Sequence, residues 1–248
     1  MVAGDLMSFS QLRIRLANQF DLLKHAAIAN AGHRFWLIPI LVPIIWLGPQ
    51  SFFLAMGWTQ PVQPSAIQVR MMGFPLACVG IYLGLRIIAG EINARTLEIV
   101  YTVPGGAVKV WLIKLLAAIM ILLPTQIIIG VYSWFMFTPF PLESLYGALQ
   151  IGVFYLVVSL GFSTLFRSEV SGAIVAVAAL GLNVVITGFG TGRQVWTPFF
   201  NPHVIDNESF RTILAMTLQN RIGMALVIIM IISLAFLRGN RRERLLSG

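Results

Sequence analysis

At 248 residues, of which 58% are apolar and 10% charged, the chain cannot be an ordinary soluble domain, where roughly a quarter of residues carry charge. Its formal charge of +8 would fit a nucleic-acid partner, but the basic residues track membrane edges and form no isolated patch, so no nucleic-acid role is expected. A single cysteine, Cys78, excludes an intrachain disulfide and a cysteine zinc cluster.

Residues 1–33 form the first unit. Phe9, Leu12, Leu16, Phe20, Leu23 and Ala27 recur at steps of three and four, with Arg13, Arg15, Gln19, Lys24 and His25 on other faces. This pattern predicts an amphipathic helix in the membrane interface, or one packed on a soluble partner. The segment has no short apolar core followed by a small-residue cleavage site, so the first span is expected to act as its own insertion signal.

Residues 34–238 form the membrane unit. Six stretches are read as spanning helices against the ~20 residues such a helix needs, the last of them the shortest: 35–56, 68–89, 110–135, 145–166, 170–189 and 222–237. Lipid offers the backbone no partner and the stretches do not alternate, so helices are predicted and an all-α fold with them. With the N-terminus inside, 13 of the 17 Lys and Arg residues fall on the cytoplasmic side, and only Arg70, Arg193, Arg211 and Arg221 outside. The basic segment 239–248 is then a cytoplasmic tail, and both termini of a multi-pass cell-membrane protein lie inside. Trp36 with Trp58, and Trp111 with Trp134, bracket the first and third spans at separations of about 33 to 35 Å, as interfacial anchors would.

Pro39 and Pro43 in the first span and Pro124 in the third remove backbone donors and predict bends. Gly73, Ala77, Gly80 and Gly84 in the second span predict close helix packing. In the fifth span Gly172, Ala176, Ala179, Asn183, Thr187 and Gly190 fall on one small, partly polar face, which reads either as a packing seam or as the lining of a substrate path at a subunit interface. Segment 191–220 is the longest external stretch, with Asn201-Pro202 and an apolar run at 213–218 that predicts a small external or re-entrant helix. Asn207-Glu208-Ser209 is a formal glycosylation sequon, relevant only in a eukaryotic secretory pathway.

No catalytic or metal site is expected. Gly161-Phe162-Ser163-Thr164 offers a nucleophile without a base, since His25, His33 and His203 all fall outside the spans, and Ser163 reads as a satisfied helix hydroxyl. No histidine pairs with another ligand at helical spacing, and the nine carboxylates sit in loops and at span ends. A glycine-rich phosphate loop is also missing.

Between the second and third spans the chain reads Glu91-Ile92-Asn93-Ala94-Arg95-Thr96-Leu97-Glu98, then Pro104, Lys109 and Lys114. A single short helix is predicted from near Gly90 to the residue before Pro104, lying at the membrane surface with its carboxylates offered to the cytosol for docking to a basic groove. These residues resemble the permease subunits of the type-2 ABC exporter family, whose coupling helix carries an acidic residue, then Gly-Thr-Leu-Glu, then Pro and Lys. Glu91, Thr96, Leu97, Glu98, Pro104 and Lys114 match that pattern, and Arg95 replaces its glycine.

The resemblance implies a coupling helix at 91–103, with Glu91, Arg95, Thr96, Leu97, Glu98 and Pro104 docking an ABC ATPase subunit. It also implies association with a second permease copy or a homologous permease, with Gly172, Ala176, Ala179, Asn183 and Thr187 at the substrate path or subunit seam. This chain would hold no cofactor; ATP and Mg would sit on the partner ATPase. A membrane scaffold or assembly factor that docks a cytoplasmic partner without its own transport path remains the alternative.

Overall fold

The computed structural model describes residues 9–102, 106–188, 194–205 and 208–240, with side chains from Phe20 on. Among these residues the protein is all-α, and six helices are long and apolar enough to cross a membrane: Phe35–Ala55, Pro64–Leu85, Gly106–Met136, Glu143–Phe166, Glu169–Thr187 and Phe210–Gly239. The helical elements in chain order are α1 (Phe9–Ala31), α2 (Ile38–Ala55), α3 (Pro64–Ala66), α4 (Phe74–Leu85), α5 (Ala89–Asn93), α6 (Leu97–Thr102), α7 (Gly106–Met136), α8 (Glu143–Phe166), α9 (Glu169–Thr187) and α10 (Phe210–Gly239).

The second and fourth spans form the centre, with 72% and 61% of their apolar windows buried, against 17% for the first span and 22% each for the fifth and sixth. Glycines make this possible. A Cβ on Gly80 would run into the Gly152 carbonyl of α8, and one on Gly84 into the Leu156 carbonyl and the Ser159 hydroxyl. The small face predicted in the second span is therefore the line along which α4 and α8 meet backbone to backbone. On one side of this pair α7 carries α2 and α1; on the other, α9 and α10 pack on α8.

The second span is not a continuous α-helix. Ile67–Gly73 form a π-helical segment between α3 and α4. Pro75, in the first turn of α4, has no N–H to donate back, and the amide of Phe74 reaches the Val69 carbonyl instead. Pro43 and Pro49 lie inside α2 and Pro124 inside α7, where Thr125 donates its hydroxyl to the Ile121 carbonyl at 2.7 Å.

Two expectations are corrected. The apolar run 213–218 is no separate helix but belongs to α10, which runs unbroken from a Ser209 cap because no Gly or Pro interrupts it before Gly223. The irregular stretch ahead of it folds inward instead: Phe199, Phe200 and Asn201 are buried. Asn201 donates to the Ser65 carbonyl at 2.6 Å, and Gln68 to the Phe200 carbonyl at 2.9 Å. Trp111 is not an interfacial anchor; it is fully buried, with its ring beside Tyr101 and Phe236 and against Gly239 at the end of α10. Trp36, Trp58 and Trp134 are exposed, as anchors would be.

In α1, Leu23, Ala26 and Ala27 pack into the core while Phe20 is exposed. Asn30, fully buried, donates to the Lys114 carbonyl at 2.7 Å and ties the end of α1 to α7.

Candidate functional site

The stretch between the second and third spans folds as two short helices rather than one. After α5, Arg95 turns the backbone at a φ of 56°, and α6 begins two residues later. The left-handed conformation ends a helix and ordinarily favours glycine, so the break falls at the position where the resembled pattern has its glycine. The predicted single helix is wrong for that reason.

The same break brings Glu91 and Thr96 together. Thr96 donates its hydroxyl to one carboxylate oxygen of Glu91, while the Lys114 ammonium of α7 pairs with the other. The Lys114 and Glu91 side chains keep only 7% and 14% of their surface exposed. The expectation that Glu91 is offered to a partner is thereby corrected: both of its oxygens are held within the chain, because a carboxylate this far removed from water needs a countercharge.

Leu97 and Val100 of α6 point into the core. Tyr101 donates to the Gly239 carbonyl. The remaining face of α6 is outward: Glu98 and Ile99 are exposed, Ile99 at 64%. Arg95 is exposed as well, and Pro104 lies outside the described residues. Of the six predicted docking residues, Arg95 and Glu98 are thus free to meet a partner, whereas Glu91, Thr96 and Leu97 anchor the segment.

Behind α5 and α6 lies a cavity of about 440 Å³, lined by Ala29, Arg86, Glu91, Thr96, Lys114 and Glu169 among others. Two cations and two carboxylates balance around it. Arg86 donates to the Tyr82 hydroxyl at 3.2 Å and to the Asn30 carbonyl at 3.5 Å, and Glu169 stands in the first turn of α9, where the helix dipole favours a negative charge. Sequence reasoning did not identify Asn30, Arg86 and Glu169. Lys114 was counted as an edge charge, although its place inside a long apolar run marks a cation that must find a carboxylate.

The face of α9 divides between two environments. Gly172 presses against Ser163 of α8, a contact that a side chain on residue 172 would abolish, and Ala176 and Thr187 are buried. Ala179 and Asn183 are half-buried, and the Tyr155 hydroxyl is directed at Asn183 without a hydrogen bond of ordinary geometry. Gly190 lies outside the described residues. Much of the stripe is thus used within the chain, as a packing seam against α8. Ser163 donates to the Leu160 carbonyl at 3.1 Å and is the satisfied helix hydroxyl expected.

Comparison with protein-family models, with characterised proteins and with solved structures gave no match. Among the described residues, the fold and this site define an all-α protein with six helices long and apolar enough to cross a membrane and a two-helix segment clamped between the second and third.

Proposed function

We propose that this chain is the membrane permease subunit of an ATP-driven ABC exporter, in which α5 and α6 couple the spans to a separate ATPase subunit. The observation that carries the reading is the division of labour within that segment. Glu98 and Ile99 face outward as a contact surface, while Glu91, Thr96, Leu97 and Val100 bind the segment to α7 and the core. A push on Glu98 and Ile99 would be delivered to the third span through a buried ion pair and apolar contacts, which transmit displacement because packed interiors are stiff. Chemistry on the nucleotide would belong to the partner, together with ATP and Mg, since this chain has no phosphate loop. Two permeases would meet around the substrate path, with α5 and α6 cytoplasmic.

The scaffold reading keeps the same docking surface. It is favoured by the intramolecular use of Gly172 and Ala176, which leaves fewer residues of the stripe for a path between subunits. ATPase stimulation separates the two readings: an exporter raises its partner's hydrolysis rate in liposomes, whereas a scaffold binds without doing so.

The direct test is Glu98→Arg. Coexpressed with a candidate ABC ATPase subunit that the parent protein copurifies, the variant should bring down at least about tenfold less partner, as expected for reversing one charge of a docked pair. Unchanged copurification and unchanged ATPase stimulation would sink the coupling role.

A further inference from the structure

At the opposite end of the bundle from α5 and α6, Arg221 is built into a site rather than left loose. Its guanidinium donates to Gln150 Oε1 at 2.9 Å, and Gln150, which is buried, donates to Asn220 Oδ1 at 3.0 Å. Asn220, fully buried, donates in turn to the carbonyls of Val195 and Thr197 at 2.6 and 2.9 Å. From the other side the guanidinium lies 4.3 Å from the ring centre of Tyr146. A flexible arginine reaching for water has no such frame. Of its five N–H donors, the described residues account for one, and no carboxylate lies within ion-pair distance.

Beside the guanidinium is a cavity of about 150 Å³ between α8 and α10, walled by Tyr146, Leu149, Val153, Ala225 and Ile228. Its depth in the membrane follows from α10. Arg221 and Arg238 are 17 residues apart, or about 26 Å along the helix, close to the ~30 Å hydrocarbon thickness. With Arg238 at one interface, Arg221 stands at the other, at headgroup level, and the aliphatic wall descends from it into the acyl region. Glu143, in the first turn of α8 and one turn before Tyr146, sets an exposed carboxylate at this end of the helix, 3.9 Å from His203. Its carboxylate penalises a headgroup of net negative charge.

We propose that this is a binding site for a zwitterionic phospholipid of that leaflet, with its phosphate on Arg221 and one acyl chain along Leu149, Val153, Ala225 and Ile228. The site does not depend on the exporter reading. Arginine recognises phosphate through paired, charge-assisted hydrogen bonds, and the Gln150 frame holds the fork oriented before the lipid arrives.

The test is thermal unfolding of the intact protein in detergent, titrated with phosphatidylethanolamine, phosphatidylglycerol, glycerophosphoethanolamine or inorganic phosphate. Phosphatidylethanolamine should raise the midpoint at lower concentration than phosphatidylglycerol, with Glu143→Gln reducing that preference. Arg221→Gln should weaken the phosphatidylethanolamine response by about tenfold or more, and Arg238→Gln should leave it intact. Should Arg221→Gln fail to fold, Ala225→Trp, which fills the acyl groove and keeps the arginine, is expected to lose the response in its place. The proposal is overturned if Arg221→Gln or Ala225→Trp responds like the parent protein, if phosphatidylglycerol is preferred, or if the chain-free headgroup or inorganic phosphate acts at the same concentration, which would mark a simple anion site.

Discussion

Lys114 and Glu91 show how one buried charge dictates the use of another. An ammonium a quarter of the way along a 31-residue apolar helix would be expelled toward water were it not paired, and Glu91 is drawn inward from a segment that would otherwise expose it. Removing one partner strands the other. Lys114→Met should therefore cost about 3 kcal/mol of stability, while Lys114→Met combined with Glu91→Gln should recover most of that loss. A double-mutant cycle on unfolding midpoints in detergent measures this, and additive losses would mean that the pair is not coupled. Arg95 completes the arrangement, since its left-handed backbone places Thr96 against Glu91.

Among the elements, the contact of α4 with α8 is where volume matters most. Helices in lipid gain little from the hydrophobic effect on meeting one another, so the approach permitted by Gly80 and Gly84 supplies van der Waals contact that side chains would prevent. Gly84→Ala places a methyl against the Leu156 carbonyl and should destabilise by about 1–3 kcal/mol. Gly48→Ala in α2, where an added methyl would meet nothing within 4 Å beyond its own stretch of helix backbone, should be neutral or stabilising by up to about 1 kcal/mol. Equal effects of the two on thermal midpoint and on the monodisperse fraction would refute this account of the interface. The π-helical turn of the second span belongs to the same scale: it sets Gln68 beneath Phe200 and so gives the irregular stretch before α10 its anchor.

For the whole molecule, the question with most consequence is which end faces the cytoplasm. From the distribution of Lys and Arg, α5 and α6 are expected inside. In a Cys78→Ala background, a single cysteine replacing Glu98 should react with an impermeant maleimide only after cells are opened, and one replacing Gln194 should react from outside. Both positions are exposed, whereas Asn201 is buried and would report nothing on either side. Labelling of residue 98 in intact cells would invert the orientation and remove the proposed coupling function with it.

The chain's patterns were enough to place the first five spans to within a few residues at each end, because long apolar stretches must become helices when no water can satisfy the backbone; the last helix begins at Phe210, well ahead of the predicted 222. They also located the small faces of the second and fifth spans and singled out the segment around Glu91. What the linear pattern could not hold were facts of three-dimensional pairing. Trp111 lies near a span end, where tryptophans commonly mark the interface, and only the approach of Gly239 and Phe236 from the last helix buries it. Glu98 and Glu91 are alike as letters in one short stretch; the turn at Arg95 and the ammonium of Lys114 leave one exposed and make the other a buried anchor. Likewise Gln150, Asn220 and Arg221, polar residues scattered over two apolar helices, become a single framed site because α8 and α10 bring them into hydrogen-bonding distance.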